Sequence, residues 1–340
     1  MSEATCTCVS ESQCEKICAR TVTTSLSAGD RLGAWKVRWG IGRMDYTVDP
    51  GLYAVGEPDG SSPVLVSANY KLTFDTLRKN LLGLHCWLLI LDTQGVNVWC
   101  AAGKGTFGTD ELVRRIEMTG LPETVTHRKL ILPQLGASGV SAHEVSRRTG
   151  FAVIFGPVRA SDIKTFIESG YKATREMRTV MFTFWDRLVL TPMELVEAAK
   201  ISLMVFGALF LINLVAARPF GLSDFLVYAA ATLIGSVVTQ VLLPYVPGKA
   251  FAFKGWLLGA IGTACIVWAF GWFASPNLLL GIGYMLALPA YSGFLVMNFT
   301  GASTYTSPSG VLKEMTTAIP LIIISLIAGL TLILIKTFTG

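Results

Sequence analysis

The sequence predicts an α/β domain followed by an all-α transmembrane domain of five helices. Charge is the first indication, because the last 140 residues carry only seven Asp, Glu, Lys and Arg side chains. From about residue 63 to residue 168, short apolar runs alternate with amphipathic stretches of about ten residues. The remainder of the chain consists of apolar runs long enough to cross a bilayer.

Composition divides the chain into three segments. We expect a cysteine-containing flexible tail at residues 1–30, the α/β domain at 31–190 and the transmembrane domain at 191–340. Thr191, Pro192 and Glu194 form the start signal of the helix that opens the last segment. The net charge of +5 is spread over both large segments without a basic cluster, which argues against nucleic-acid binding.

The strands of the α/β domain are predicted from continuous apolar runs at 64–66, 86–91, 129–132 and 151–155. Amphipathic helices are expected at about 73–82, 109–118, 141–148 and 160–168. This alternation indicates a parallel sheet that is covered on both faces. Ligands of such sheets bind beyond the carboxyl ends of the strands. Small and polar residues gather there, at 67–70, 97–108, 134–139 and 156–158.

Five transmembrane spans are expected at about 200–217, 223–245, 254–274, 277–299 and 317–336. With the α/β domain in the cytoplasm, Lys249, Lys254 and Lys313 fall on inside loops, as the positive-inside rule requires. The chain opens without a secretory signal pattern. We therefore expect a multi-pass protein of the cytoplasmic (inner) membrane. The spans are interpreted as free of acids and bases, which favours an anchor over a transporter.

Four cysteines crowd the start of the chain in the pattern C-x-C-x5-C-x3-C. The run lacks the C-x2-C pairs and the ferredoxin spacing of zinc and iron-sulfur sites. Two interpretations stay open, a flexible tail and a thiol relay or soft-metal site. In the second, Cys6, Cys8, Cys14 and Cys18 would bind a soft metal ion.

Residues 92–111 carry the strongest chemical signal, directly after the most apolar strand. A phosphate loop is excluded because Val98 stands where its first glycine is needed and Gly105 stands where Ser or Thr is required. The G-x-G-x-x-G pattern at 103–108 begins about ten residues after the strand, too far for a dinucleotide fold. A third interpretation places Cys100 on a small-residue turn or cap, where its thiolate can approach a large flat ligand.

The run Asn97-Val98-Trp99-Cys100-Ala101-Ala102-Gly103-Lys104 resembles the cap-helix motif of HgcA, the corrinoid protein family of microbial mercury methylation. Residues 63–72, 134–143 and 155–158 are similar to the corrinoid domain that this family shares with the large subunit of corrinoid iron-sulfur proteins. The resemblance covers roughly residues 35–185. It implies a Rossmann-like corrinoid-binding domain.

The resemblance implies a cobalamin or related corrinoid, held base-off, with the Cys100 thiolate as the lower axial ligand of cobalt. A further stretch, 298–310, resembles a loop of the soluble relatives and is expected to supply polar contacts. The corrinoid contacts expected in this way are Asn69, Tyr70, Asn97, Val98, Trp99, Cys100, Ala101, Ala102, Gly103, Lys104, Gly105, Thr106, Gln134, Gly136, Gly139, Gly156, Pro157, Thr304, Thr306 and Ser307.

The function implied by the resemblance is an enzymatic one, corrinoid-dependent methyl transfer to mercury(II) to form methylmercury. A thiolate ligand suits it, because a soft and strong donor enriches the electron density on cobalt. Partners implied in the same way are a ferredoxin-like iron-sulfur protein, HgcB, as electron donor and a methyltetrahydrofolate-dependent methyl source. Two alternatives stay open. One is a membrane-anchored corrinoid methyl carrier of one-carbon and acetyl-CoA metabolism, and the other is a non-catalytic cobalamin-binding membrane module.

Overall fold

The structure is a computed structural model that describes residues 6–7, 19–302, 305 and 307–340. The chain forms two compact units, one made of Met1–Val37 and Ile41–Val180 and the other of Arg38–Gly40 and Met181–Gly340. The prediction of an α/β domain followed by five long apolar helices is confirmed.

In the residues that the structure describes, the first unit consists of a seven-stranded sheet and the helices that cover it. The strands are β1 Cys6–Thr7, β2 Ala19–Val22, β3 Gly51–Val55, β4 Val64–Ala68, β5 Cys86–Leu91, β6 Lys129–Leu132 and β7 Ala152–Phe155. The helices are α1 Ala28–Arg38, α2 Lys71–Lys79, α3 Val98–Lys104, α4 Thr109–Met118, α5 Leu121–Thr124, α6 Ala142–Thr149 and α7 Ile163–Glu168.

The sheet has the strand order β1-β2-β3-β5-β4-β6-β7. Strands β5, β4, β6 and β7 are parallel, as predicted, but β3 runs antiparallel to β5 with Gly51 opposite Ile90. The prediction of a purely parallel sheet is therefore wrong for the pairing of β3 with β5. The antiparallel pairing has a consequence for the site, because the chain that enters β3 lies at the same edge as the carboxyl end of β5.

The prediction of a flexible tail at residues 1–30 is also wrong for its last part. Ala19–Val22 pairs in parallel with β3, and α1 begins at Ala28, so this part of the segment is folded into the first unit. Cys8, Cys14 and Cys18 lie outside the described residues, and only the backbone of Cys6 is described.

Both faces of the sheet are buried. Neighbouring residues of each central strand point to opposite faces, so each strand contributes to two clusters. In β5, Trp87, Leu89 and Leu91 face a cluster completed by α3 and α4. Leu88 and Ile90 face the other cluster, which α2 and α7 complete. Continuous apolar runs are the sequence signature of this two-sided burial.

A network of ion pairs joins α1 to α2 on the first unit. Asp30 accepts hydrogen bonds from Lys71 Nζ at 2.6 Å and from Arg78 Nη2 at 2.8 Å. Asp75 bonds to the same two cations, at 2.6 and 2.8 Å. Burial disfavours the charged form of Asp30, but hydrogen bonds from Lys71 and Ser27 outweigh it and hold the pKa of Asp30 well below its usual range.

The second unit is helical. Its helices are α8 Phe184–Leu188, α9 Thr191–Asn213, α10 Leu222–Leu233, α11 Thr239–Leu242, α12 Phe251–Ala269, α13 Leu278–Asn298 and α14 Pro308–Thr339. A π-helical turn at Ile234–Val238 joins α10 to α11. Within the described residues, five helical segments are long and apolar enough to cross a membrane: Phe184–Asn213, Leu222–Leu242, Phe251–Ala269, Leu278–Asn298 and Ser309–Thr339.

Two sequence interpretations of this unit need correction. The first long helix ends at Asn213 and not near 217, because the Asn213 side chain bonds to both the N–H and the carbonyl of Phe220 across the turn. The spans are also not free of acids. Asp224 is 5% exposed in the first turn of α10, where it accepts hydrogen bonds from Arg218 at 3.1 Å and from the Tyr284 hydroxyl at 2.7 Å.

We predict that Asp30→Asn lowers the free energy of unfolding by about 1–3 kcal/mol, because two cations lose their shared carboxylate. Since the folded-state pKa of Asp30 lies below its unfolded value, this stability is present at neutral pH and lost as the pH falls below about 4. Thermal unfolding of the full-length chain in detergent measures the change.

Asp49→Asn is the matched control. Asp49 also forms an ion pair, with Arg20, but its side chain is 72% exposed. We expect this change to shift stability by no more than about 0.5 kcal/mol. Equal losses in the two variants would contradict the role given to the α1–α2 network.

Candidate functional site

Helix α3 lies across the carboxyl ends of the central parallel strands. From β4 the chain continues to β5, the neighbour of β4 on one side, whereas from β6 it continues to β7, on the opposite side. The strand order therefore reverses between β4 and β6. Open α/β sheets form their ligand crevice at such a point. Helix α3 contacts β4 and the Gln134–Gly136 turn after β6, so it covers this crevice. We call α3 the cap helix.

A buried asparagine at the end of β4 holds the loop that leads to the cap helix. Asn69 is 5% exposed, and its Oδ1 accepts hydrogen bonds from the N–H and hydroxyl of Thr93 and from the Gly95 N–H, at 2.9–3.1 Å. Glu111 of α4 supports the same loop by accepting a hydrogen bond from the Asp92 N–H at 2.9 Å. These bonds give Asn69 a positioning role.

Both ends of the cap helix are fixed by their residue types. Asn97 is the N-cap, and its Oδ1 accepts a hydrogen bond from the Cys100 N–H at 2.9 Å. At the other end Gly105 has a φ of 82°, in the left-handed region that favours glycine, and its N–H bonds to the Ala102 carbonyl. Cys100 is thus held in the first turn of a short helix with defined ends.

The cap helix has one buried face and one exposed face. Val98, Ala101 and Ala102 face the core, with exposures of 6%, 0% and 5%. The exposed residues are Trp99, Cys100, Gly103 and Lys104. Helical periodicity places these four on the side opposite the buried three. The Cys100 thiol therefore faces away from the core.

Two glycines after β6 allow the cap helix to approach the sheet. A Cβ on Gly139 would stand 2.2 Å from the Phe107 carbonyl oxygen and 3.0 Å from the Ala102 Cα. A Cβ on Gly136 would stand 2.5 Å from the Phe107 ring, which is fully buried. Gly136 and Gly139 are therefore packing residues for the cap helix. The sequence analysis had predicted these two glycines only as corrinoid contacts.

Cys100 and Cys86 differ in their surroundings. Cys86 lies in β5 at 0% exposure, and burial raises the pKa of its thiol to about 12, so it stays protonated at neutral pH. Cys100 is exposed and free. The thiolate is the form of cysteine that binds a metal. Of these two thiols, only Cys100 is accessible to a ligand.

The surroundings of Cys100 fit a large flat cofactor. A Cβ on Gly103, one turn further along the exposed face, would meet no atom within 4 Å. Ala101 and Ala102 are small, and the cap helix presents no bulky side chain between Cys100 and Gly103. Among the described residues, no three His, Cys, Asp or Glu side chains form a metal-binding group. Cys100 is therefore an exposed free thiol beside open space.

The other predicted contacts are dispersed over several elements. Tyr70, Gly156 and Pro157 are buried at the carboxyl ends of β4 and β7, and the Thr106 hydroxyl bonds to the Ala101 carbonyl behind the cap helix. Gln134 accepts a hydrogen bond from Arg178 at 3.1 Å. Ser307 belongs to the second unit, where it is the N-cap of α14. Thr304 and Thr306 lie outside the described residues.

Sequence reasoning missed the segment that precedes β3. A Cβ on Gly95 would stand 2.8 Å from the Thr47 side chain and 3.2 Å from the Met44 carbonyl, so this segment flanks the loop before the cap helix. Ile41 and Met44 are 58% and 74% exposed there. The available sequence signal was Ile41 between Gly40 and Gly42, with Met44 two residues further on. Both glycines have positive φ, and Met44 lies in a short 3₁₀ turn at Arg43–Asp45.

The fold and the site define an α/β protein that presents an exposed thiol at the carboxyl ends of its parallel strands, followed in the described residues by five long apolar helices. Residues 42–167 match a protein family described as the CO dehydrogenase/acetyl-CoA synthase delta subunit. This range contains the whole cap helix and its supporting loops.

Over about 130 residues, the chain is also similar to gamma subunits of the acetyl-CoA decarbonylase/synthase complex. The subunit of Methanocaldococcus jannaschii is 34% identical over 131 residues, which cover 38% of this chain and 26% of the relative. That of Methanopyrus kandleri is 36% identical over 128 residues, covering 37% of this chain and 27% of the relative. The chain thus spans about a quarter of the length of the curated relatives it matches.

We predict that a water-soluble maleimide modifies Cys100 in the folded protein and leaves Cys86 unmodified until the protein unfolds, because the two thiols differ in exposure. Peptide mapping by mass spectrometry distinguishes them from each other and from the tail cysteines. Modification of Cys86 at the rate of Cys100 would contradict the described burial.

We also predict opposite effects of adding a methyl group at two glycines. Gly139→Ala should lower the free energy of unfolding by about 1–3 kcal/mol, because its Cβ meets backbone atoms that cannot move aside. Gly103→Ala should leave stability unchanged or raise it by up to about 1 kcal/mol, since alanine is the better helix former. Thermal unfolding of both variants measures the difference, and a loss at Gly103 equal to that at Gly139 would contradict the packing described for the cap helix.

Proposed function

We propose that this protein is a membrane-anchored corrinoid protein of methyl transfer. The observation that carries the proposal is the exposed Cys100 thiol on a cap helix whose opposite face is fixed to the sheet. The similarity of residues 42–167 to subunits of acetyl-CoA-forming complexes supports it. Five long apolar helices support the anchor, and we propose the inner membrane with the α/β domain in the cytoplasm.

Cys100 would be the axial ligand of the cobalt, and Gly103 would leave clearance for the corrin ring. A bound corrinoid supplies a metal that accepts and donates a methyl group. The protein's own contribution is to hold the ligand sulfur still. Asn97 fixes the backbone of Cys100, and the buried Val98 and Ala101 keep the cap helix from turning.

The methyl acceptor has two candidates. The similarity to acetyl-CoA decarbonylase/synthase subunits favours a carrier for one-carbon and acetyl-CoA metabolism. Mercury(II) is favoured by a different observation, the Asn97–Lys104 motif with its exposed cysteine, which resembles the mercury-methylation family. We propose the carrier chemistry as the function and mercury(II) as the second candidate acceptor.

Partners follow from this chemistry. Either acceptor requires that the corrinoid be methylated again after each transfer, for which a methyltetrahydrofolate-dependent source is the candidate. Transfer to mercury(II) as a carbanion equivalent or radical would also leave the cobalt oxidised, so that function needs an electron donor, for which HgcB is the candidate. If mercury(II) is the acceptor, Cys6, Cys8, Cys14 and Cys18 are candidate thiols for its delivery.

The proposal is tested by reconstituting the full-length chain with cobalamin in detergent and recording the visible absorption spectrum. Wild-type protein should bind cobalamin with a spectrum that Cys100→Ala loses or changes. Cys265→Ala is the control, because it removes another exposed thiol on α12, outside the site. Identical spectra for wild type and Cys100→Ala would contradict the ligand role.

A second measurement separates the two acceptors. The loaded protein, supplied with reductant and a methyl donor, is offered thiol-bound mercury(II) in one reaction and a CO-dependent acetyl-CoA synthase in another. The carrier function predicts Cys100-dependent acetyl-CoA, and the second candidate predicts Cys100-dependent methylmercury. If the protein binds cobalamin but forms neither acetyl-CoA nor methylmercury, the methyl-transfer proposal is overturned. A non-catalytic cobalamin-binding module would then be the remaining interpretation.

A further inference from the structure

The helical unit contains a cavity of about 900 Å³ between α12, α13 and α14. Its wall along α14 runs from Gly310 to Ser325. At 1.5 Å per residue these positions span about 22 Å of helix. Half of a bilayer, headgroups included, measures about 20–22 Å. The cavity therefore has the length of one leaflet.

One end of the cavity is positively charged. Lys249 and Lys313 line it, both side chains are exposed, and among the described residues neither forms an ion pair. Among the lining residues that the structure describes, Glu314 carries the one carboxylate, and its Oε1 accepts a hydrogen bond from the Ala252 N–H at 2.6 Å. Two cations thus remain available to an anion.

The rest of the cavity is mainly apolar, and the hydroxyls of Thr317 and Ser325 in its lining already bond to the helix carbonyls of Lys313 and Leu286. Phe253 and Trp256 of α12 stack on each other with ring centroids 6.2 Å apart. Ala290 of α13 and Leu321 and Ile322 of α14 complete this wall. A free polar anion would leave these surfaces without a partner, whereas a ligand with an anionic head and an acyl chain matches both parts.

We propose that this cavity binds an anionic phospholipid, with its phosphate at Lys249 and Lys313 and an acyl chain along α14. Basic pockets between transmembrane helices are a known mode of headgroup recognition. Charge complementarity at the mouth and the one-leaflet length of the apolar wall carry the assignment. The site is independent of the corrinoid proposal, since it uses residues of the helical unit alone.

The test uses the full-length protein reconstituted in vesicles of 4:1 phosphatidylcholine and phosphatidylglycerol, extracted in mild detergent and examined by native mass spectrometry. Wild-type protein should retain phosphatidylglycerol over phosphatidylcholine by on the order of tenfold relative to the mixture. Lys249→Gln/Lys313→Gln should bring this selectivity close to one. Lys200→Gln is the control, because Lys200 is an exposed lysine on α9 outside the cavity and should keep the wild-type preference.

Three outcomes would overturn the proposal. Equal retention of the two lipids by wild-type protein would show ordinary lipid packing around the helices. A preference unchanged in the double variant would place the headgroup elsewhere. Displacement of the retained lipid by glycerol 3-phosphate, which has the headgroup phosphate without acyl chains, would indicate a site for free phosphate compounds. Circular dichroism confirms that the variants are folded, which the exposure of both lysines predicts.

Discussion

The packing of Phe107 against the loop after β6 is the constraint on which the candidate site depends. The cap helix has only seven residues, too few to be stable alone. Its position comes from Gly136 and Gly139, which admit the Phe107 ring and backbone at distances where any larger residue would collide. A rigid platform follows, and with it an orientation of the Cys100 thiol that does not depend on a bound ligand.

A second layer of support acts from the opposite end of the cap helix. Asn69 and Glu111 fix the loop that leads into it, and the segment before β3 packs against Gly95 of the same loop. These residues sit on different strands and helices, yet they meet because the sheet brings the carboxyl ends of β4 and β5 together with the entry of β3. If Cys100 holds a metal, these contacts would fix the position of its sulfur.

Sequence reasoning predicted the features that local pattern determines. Strands Cys86–Leu91 and Lys129–Leu132 and helix Thr109–Met118 have the predicted bounds, because continuous apolar runs and an amphipathic period mark them directly. Strands β2 and β3 were missed, since their pairing depends on contacts with distant strands. Asn69, Gly136 and Gly139 were predicted as ligand contacts, and their packing and positioning roles emerge only when the cap helix is placed in space.

The central claim is that Cys100 supplies sulfur to cobalt. The most direct measurement is X-ray absorption at the cobalt edge of the full-length protein loaded with cobalamin. We expect a sulfur neighbour of cobalt in wild-type protein that is absent in Cys100→Ala and retained in Cys265→Ala. A coordination shell of nitrogen and oxygen alone in the wild-type protein would contradict it.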